Sequence, residues 1–118
     1  ANTGMLFSFA VNYGGRDEMI RAIRRMATET SAAELPEKLS HLTEEEFSRY
    51  LDTADTPDPD LVIRTSGEFR TSNFLLWQSA YAEYYISSVY WPDFNLEELQ
   101  KAIESYQKRE RRFGGRKA

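Results

Sequence analysis

The 118-residue sequence has no cysteine and a single histidine, His41. Without thiols the chain can form no disulfide, thiolate zinc site or cysteine nucleophile, and one imidazole leaves little material for histidine chemistry. Long apolar runs are also missing, since none approaches the ~20 residues of a membrane-spanning helix, and no charged and then apolar leader opens the sequence. We therefore expect catalysis, if any, to use carboxylates, arginines and hydroxyl groups, and we expect neither secretion nor a transmembrane anchor.

What the sequence does contain is the composition of a folded domain. Hydrophobic residues make up 41%, aromatic residues 14% and charged residues 29%, a balance that favours a packed core over disorder. A chain of this length holds one domain at most, because domains typically take about 100–200 residues. Charge is uneven, since residues 108–117 hold six basic residues and one acidic residue in a chain of net charge −4. Such a cluster can contact nucleic acid, anionic lipid or a phosphorylated small molecule, and composition does not separate these.

Apolar spacing and capping boxes predict four helices, and short β-branched or aromatic runs between turn residues predict three strands. The helices cover about residues 16–29, 43–50, 74–82 and 95–113, and the strands cover residues 6–11, 61–63 and 84–86. Residues 31–38 contain Pro36 and little periodicity, so we expect a mobile connection there. Strands that alternate with helices predict an α/β fold with a largely parallel central sheet flanked by helices.

The residues that follow the second predicted strand are the first candidates for a ligand site, because ligands in open α/β sheets bind at the carboxyl ends of strands. Arg64 and Arg70 can converge on one anion across the loop that joins them, since a guanidinium matches phosphate oxygens bidentately. Ser72 adds a hydroxyl donor at an expected helix start, where free N–H groups favour anions. These residues form a candidate diphosphate cradle. The alternative is that both arginines pair with local acids such as Glu68 or Asp60.

Glu83 lies between an apolar segment and an aromatic strand, where burying a lone carboxylate is costly. A hard divalent cation, bound through one or two carboxylates and substrate phosphates, would compensate this charge in the usual manner of magnesium. Pairing with an arginine is the structural alternative. Glu83 is therefore a candidate metal ligand on the basis of one carboxylate only.

Several blocks in order along the chain carry a family resemblance. They are residues 12–16 (NYGGR), 60–78 with 80–83, 91–94 (WPDF) and 109–115 (RERRFGG). Together they closely resemble the signature of the cis-prenyltransferase family, in particular of its undecaprenyl diphosphate synthase (isoprenyl transferase) members. These enzymes use magnesium to condense isopentenyl diphosphate onto an allylic diphosphate such as farnesyl diphosphate, and they release diphosphate. The resemblance implies the same fold and activity here, with a long-chain polyprenyl diphosphate such as undecaprenyl diphosphate, a cell-wall lipid carrier, as the product.

The resemblance also assigns roles to matching positions. Arg64, Arg70 and Ser72 would be catalytic residues that hold the diphosphate of the isopentenyl substrate. Glu83 would be a catalytic residue that positions magnesium. Catalysis would then depend on orientation and on stabilisation of the departing diphosphate rather than on acid–base chemistry, which is compatible with a chain that has one histidine.

The resemblance further implies partners. Arg112 and Gly114 match a carboxyl-terminal motif that binds substrate across a dimer interface, so a homodimer is expected. This motif gives the basic tail a phosphate-related role. Within predicted elements, and expected in the core rather than interleaved with lysines and arginines, lie Trp77, Trp91 and the tyrosines at 81, 84, 85 and 90. Nucleic acid is therefore not an expected partner. A lipid product implies a cytoplasmic enzyme that works transiently at the membrane surface.

The sequence departs from the family on its amino-terminal side. Full-length members carry there a block of the Met-Asp-Gly-Asn-Gly-Arg type, which binds the allylic diphosphate and magnesium, and the elements that line the product tunnel. This sequence begins at Ala1 and contains no such block. The resemblance thus implies that residues 1–118 are the carboxyl-terminal portion of a single domain, which supplies the isopentenyl diphosphate site and is inactive alone. The alternative is a non-catalytic partner subunit of a heteromeric enzyme.

Overall fold

The computed structural model of the chain describes residues 3–109. The chain divides into two compact units, Ala1–Ala54 and Asp55–Ala118, which we call the helical unit and the sheet unit. Within the described range the helical unit contains three helices, and the sheet unit contains a two-stranded parallel sheet with a further helix. The predicted α/β fold with parallel strands is thus confirmed. No helix in the described range combines the length and the apolar character needed to cross a membrane.

The described part of the helical unit is built from α1 (Gly15–Glu29), α2 (Leu35–Ser40) and α3 (Glu44–Ser48). The first of these is the predicted amphipathic helix, and it buries Ala22 and Met26 almost completely. Thr43 opens α3 as its capping box predicts, because its hydroxyl accepts a hydrogen bond from the N–H of Glu46 at 3.1 Å. Local sequence signals therefore place both of these helices correctly.

The segment 31–38 contains the start of α2, so the expectation of a mobile connection there is wrong. Pro36 lies in the first turn of the helix. The first four N–H groups of a helix have no partner within it, so a proline in this turn removes no hydrogen bond. The proline opens this helix rather than interrupting it.

The strand predicted at residues 6–11 is not formed, and this segment has no regular secondary structure. Its large apolar side chains, Leu6, Phe7, Phe9 and Val11, are each at least 71% exposed. A strand is held by hydrogen bonds to a neighbouring strand, and the described part of the helical unit contains no other strand. A strand-like sequence is therefore present without a strand to pair with.

A polar network joins α1 to the chain that follows α3. Arg21 donates hydrogen bonds to both carboxylate oxygens of Asp52 at 2.8 Å and to Asp17 at 2.9 Å. The buried Glu18 accepts a hydrogen bond from the N–H of Asp52 at 2.8 Å and another from the hydroxyl of Tyr13. These contacts fix the end of the helical unit on the first helix.

We expect Asp52→Asn to destabilise the protein at neutral pH but not in acid. The hydrogen bond from Arg21 lowers the pKa of Asp52 below its ordinary value of 3.8. A carboxyl whose pKa is lowered in the folded state stabilises the fold above its unfolded pKa, and this contribution disappears as the pH falls through the folded pKa. Because the Asp52 side chain is 46% exposed, the loss at pH 7 should be at most about 1 kcal/mol.

Urea titrations of the unaltered protein and the Asp52→Asn variant measure this effect as the difference between their free energies of unfolding. That difference should shrink steadily below about pH 4. A difference that stays constant from neutral pH into acid would show that the contact does not depend on the charge of Asp52.

The described part of the sheet unit is built from β1 (Leu61–Arg64), β2 (Glu83–Ile86), a short 3₁₀ helix (Trp91–Asp93) and α4 (Leu96–Gln107). The strands are parallel, with Leu61 beside Glu83 and Arg64 beside Ile86. Both predicted strands are present within one residue of their expected bounds. The sheet unit therefore contains both strands that we expect beside the cradle.

The helix predicted from Phe74 is not formed, and residues 72–81 make turns and bends instead. Ser72, Asn73 and Leu75 have left-handed φ angles of +50°, +66° and +45°. A right-handed helix requires negative φ at every residue, so these three positions interrupt it. Ser72 is consequently presented by a turn, and the expected contribution of a helix N-terminus to anion binding is absent.

Helix α4 packs against β2 and begins at its predicted cap, where Asn95 Oδ1 accepts a hydrogen bond from the N–H of Glu98 at 3.0 Å. It ends at Gln107, earlier than the predicted end near residue 113.

Several aromatic residues expected in the core are largely exposed. They are Tyr81, Tyr90 and Trp91, with 55–67% of their surface accessible.

Candidate active site

Two predicted cradle residues meet at the carboxyl end of β1. Arg64 is the last residue of the strand, and its Nη2 lies 3.5 Å from Ser72 Oγ. Within residues 3–109 no carboxylate pairs with Arg64, whose side-chain partner is this hydroxyl. Arg64 also lines a cavity of about 370 Å³ whose other walls are Ile63, Thr65, Ser66, Glu68 and Trp91. The guanidinium therefore keeps its positive charge available to an anion.

Arg70 forms an ion pair with Glu68, so one part of the alternative interpretation is what the structure shows. The Arg70 side chain is 64% exposed, and ion pairs in such positions contribute little because water competes for both charges. Glu68 also lines the Arg64 cavity, which places a single carboxylate beside both arginines. An anion that binds Arg70 would therefore have to displace Glu68.

Glu83 lies at the opposite end of the sheet from Arg64. It opens β2 beside Leu61, whereas Arg64 closes β1 beside Ile86, and three residues of parallel strand span about 10 Å. Glu83 Oε2 is 3.1 Å from Arg109 Nη1, so the structure shows the arginine pairing that the sequence analysis gave as an alternative to a metal. The fold does not bring Glu83 directly beside Arg64.

A second cavity, of about 640 Å³, links the remaining candidates. Arg70 and Arg109 both line it, and Arg109 is the residue that holds Glu83. The other walls are mainly aromatic and apolar, and they comprise Phe69, Thr71, Tyr84, Tyr85, Ile86 and Ser105. The candidate residues thus form two groups, with Arg64 and Ser72 in one and Arg70, Arg109 and Glu83 in the other.

The side chains around Glu83 suit a magnesium ion only if substrate phosphates also bind that ion. In the part of the chain that the structure describes, no three carboxylate, histidine or cysteine side chains are grouped so that they could hold a metal. Magnesium in enzyme sites often uses one or two carboxylates and completes its shell with water and substrate phosphates. Glu83 therefore fits a magnesium ion that is shared with a diphosphate, and it does not fit a metal cage made of protein ligands.

The loop after β1 has a conformation that the sequence only partly signals. Ser66 and Gly67 have φ angles of +64° and +66°. Their N–H groups donate to the carbonyls of Val89 and Ser87, each at 2.8 Å, and the N–H of Ser87 donates to the carbonyl of Arg64 at 2.8 Å. Gly67 is a visible signal for a left-handed turn because glycine adopts positive φ without steric cost. Nothing in the sequence singles out Ser87.

The remaining predicted substrate contacts, Arg112 and Gly114, lie outside the described residues.

Comparison with known sequences identifies the family. The prenyltransferase family model, described as undecaprenyl diphosphate synthase, matches residues 1–114. The isoprenyl transferase of Clostridium acetobutylicum is 50% identical over 115 residues, which are 97% of this chain and 45% of the relative. The isoprenyl transferase of Geobacter sulfurreducens is 53% identical over 113 residues, which are 96% of this chain and 45% of the relative. The chain thus spans about half the length of the curated relatives it matches.

Two solved structures have the same fold. Lavandulyl diphosphate synthase from Lavandula x intermedia, in complex with dimethylallyl diphosphate, aligns with a TM-score of 0.83 and 39% identity over 97% of this chain and 48% of that protein. A probable undecaprenyl diphosphate synthase from Campylobacter jejuni aligns with a TM-score of 0.70 and 39% identity over 88% of this chain and 45% of that protein. The motif blocks, the parallel strands and these alignments agree, and the chain belongs to the undecaprenyl diphosphate synthase family of prenyltransferases.

Proposed function

We propose that this chain carries the isopentenyl diphosphate site of an enzyme that elongates cis-prenyl chains. The protein would condense isopentenyl diphosphate onto an allylic diphosphate, such as farnesyl diphosphate, and form a long-chain polyprenyl diphosphate such as undecaprenyl diphosphate. The observation that carries this proposal is the Arg64 guanidinium, which lies at the end of β1 next to Ser72 and has no carboxylate partner in residues 3–109. The proposal also draws on a solved relative that holds a prenyl diphosphate, dimethylallyl diphosphate.

The chemistry that these residues support is electrostatic. Arg64 and Ser72 offer N–H and O–H donors from one direction, and Arg70 offers a second guanidinium once Glu68 is displaced. They bind and orient the diphosphate of the isopentenyl substrate, so that its double bond can attack the allylic carbon. The allylic carbon–oxygen bond breaks as the new carbon–carbon bond forms, diphosphate leaves, and a proton passes from the isopentenyl unit to the released diphosphate, which restores a double bond. None of these donors needs to change its protonation state.

We propose magnesium as the cofactor, with Glu83 as the residue that would hold it together with diphosphate oxygens. When bound, the ion neutralises the negative charge that develops on the leaving diphosphate. Glu83 accepts the hydrogen bond of Arg109 through Oε2, and a carboxylate has a second oxygen to offer a cation. Arg109 would thus keep Glu83 oriented at the edge of the larger cavity.

The assembly and location of the protein are part of the same proposal. A homodimer is supported by the resemblance of Arg112 and Gly114 to the family's carboxyl-terminal motif. A cytoplasmic enzyme at the membrane surface is supported by the lipid nature of its product. The inactivity of the 118 residues alone is supported by their share of the relatives, which is 45% of the length.

A turnover assay tests the proposed function. With labelled isopentenyl diphosphate, farnesyl diphosphate and magnesium, the full-length protein should form elongated polyprenyl diphosphates, whereas residues 1–118 alone should form none. Failure of the full-length protein to elongate would contradict the function, and turnover by residues 1–118 would contradict their inactivity. The variant Arg70→Ala separates the enzyme from a partner subunit, because a subunit that contributes only its tail would tolerate the change.

A further inference from the structure

Ser87 is the centre of a set of hydrogen bonds around the loop that follows β1. The residue is only 2% exposed. Its N–H donates to the carbonyl of Arg64 and its carbonyl accepts from the N–H of Gly67, both at 2.8 Å, and its Oγ accepts from the N–H of Val89 at 3.3 Å. One buried serine therefore fixes the end of the strand and the turn that comes after it.

Glu98 of helix α4 sets the direction of the Ser87 hydroxyl. Ser87 Oγ donates to Glu98 Oε2 at 3.2 Å. A hydroxyl has one proton, so once it points at Glu98 its lone pairs are left to accept from Val89. Lys101 Nζ lies 3.1 Å from the other oxygen, Glu98 Oε1, and the Glu98 side chain is 17% exposed. The carboxylate is thus held from both sides in a partly buried position, where a charge-assisted hydrogen bond is strong.

The loop needs such external support because its own backbone conformation is unfavourable. Ser66 has a φ angle of +64°, and a residue with a side chain is strained in this left-handed region. Ser66 and Gly67 are held there by the carbonyls of Val89 and Ser87. Loosening Ser87 should therefore let the loop relax, and the loop directly follows Arg64.

We propose that Glu98 and Ser87 are positioning residues for the isopentenyl diphosphate site. They hold residues 65–67, and through them Arg64, in the arrangement that receives the diphosphate. Neither residue lines the two cavities that contain the candidate arginines, so their effect is transmitted through the loop. This role rests on the proposed function of the site.

The adjacent residue Glu97 provides a matched control. It lies on the same helix and also approaches Lys101, at 3.8 Å, but its side chain is 76% exposed and Ser87 bonds Glu98 instead. In the full-length protein, Glu98→Ala should raise the KM for isopentenyl diphosphate about 10-fold while kcat stays within about 3-fold, because the lost interaction serves binding and transition state alike. Glu97→Ala should leave both constants unchanged. A Glu98→Ala variant with an unaltered KM would overturn the role.

Conservative variants separate positioning from general stability. Glu98→Gln should return KM to within about 3-fold of the unaltered protein, because the amide oxygen can accept the same hydrogen bond from Ser87. Glu98→Asp keeps the charge but is too short to reach Ser87, so its KM should rise like that of Glu98→Ala, and it serves as the test if the alanine variant does not fold. A Glu98→Asp variant with normal KM would contradict the proposal.

A double-mutant cycle with Arg64 tests whether Glu98 acts on the KM for isopentenyl diphosphate through Arg64. If Glu98 acts through Arg64, Glu98→Ala should add less than about 2-fold to the KM of Arg64→Ala, because the group that it positions is already missing. A full 10-fold effect in both backgrounds would overturn the role. Calorimetric titration with isopentenyl diphosphate separates the two proposals: no binding by the unaltered protein overturns the proposed function and this role with it, whereas binding that Glu98→Ala leaves unchanged overturns this role alone.

Discussion

We expect that replacing Arg64 by alanine raises the KM for isopentenyl diphosphate by roughly 30- to 150-fold in the full-length protein. This range corresponds to about 2–3 kcal/mol, the free energy of hydrogen bonds to a charged group. Arg64 is the cradle arginine whose side chain meets a hydroxyl rather than a carboxylate in residues 3–109. Because no carboxylate among those residues competes for its charge, we expect the full effect of its loss on substrate binding. Steady-state kinetics at saturating farnesyl diphosphate measure the effect.

Two variants control for charge and for general damage. Arg64→Lys keeps the charge but loses the bidentate fork, so its KM should lie between those of the unaltered protein and the alanine variant. Arg49 is an arginine of the helical unit with a 68% exposed side chain that pairs with Glu45 at 3.5 Å, and Arg49→Ala should leave KM unchanged. A KM for Arg64→Ala within about 3-fold of the unaltered value would remove Arg64 from the diphosphate cradle.

Replacing Glu83 by glutamine should lower kcat by roughly 100- to 1000-fold, the usual loss when one group that stabilises developing charge is removed. Glutamine has the shape of glutamate and can still accept the hydrogen bond of Arg109, so the contact at 3.1 Å can persist. What the variant loses is the negative charge that would hold magnesium beside the diphosphate. The fold should remain intact, because the pair is partly exposed, with 39% of the Arg109 side chain and 23% of the Glu83 side chain accessible.

The magnesium dependence of the rate is the measurement that reports on Glu83. In the unaltered protein kcat should rise with magnesium to a plateau, and in Glu83→Gln the midpoint should move to higher magnesium concentration. Glu97→Gln removes one carboxylate from an exposed position on α4 and should change neither value. An unchanged kcat and an unchanged magnesium requirement in Glu83→Gln would mean that Glu83 serves only as the ion-pair partner of Arg109.

Elements whose signals are local could be predicted from the sequence. The spacing of apolar residues such as Met26 places α1, and the capping residues Thr43 and Asn95 place the starts of α3 and α4. The two β-branched or aromatic runs predicted as strands form β1 and β2, which pair in parallel. In each case the information lies within a few residues of the element that it specifies.

Elements that depend on backbone geometry or on a distant partner could not be predicted. The apolar segment after Ser72 has the composition of a buried helix, but left-handed φ angles at Ser72, Asn73 and Leu75 prevent one. The run at residues 6–11 has the composition of a strand and finds no strand partner in the described part of its unit. Pro36 was an ambiguous signal, since proline ends helices but also fits their first turn.

In the candidate site, too, local features could be predicted and contacts between distant residues could not. Arg64 and Ser72 could be predicted as neighbours because Arg64 lies at the carboxyl end of a strand and Ser72 in the connection that follows it, and the structure places their side chains 3.5 Å apart. The pairing of Glu83 with Arg109 joins residues 26 positions apart, and spacing alone offers it only as one of two alternatives. The contact between Ser87 and Glu98 has no sequence signal, because it arises only when α4 packs beside β2.

Calorimetric titration of isopentenyl diphosphate into the full-length protein shows whether the arginine cradle binds this ligand. We predict saturable binding to one site per chain that is weaker without magnesium and is weakened roughly 30- to 150-fold in Arg64→Ala. Equal affinity in Arg64→Ala, or no binding by a protein that circular dichroism shows to be folded, would contradict this role of the cradle.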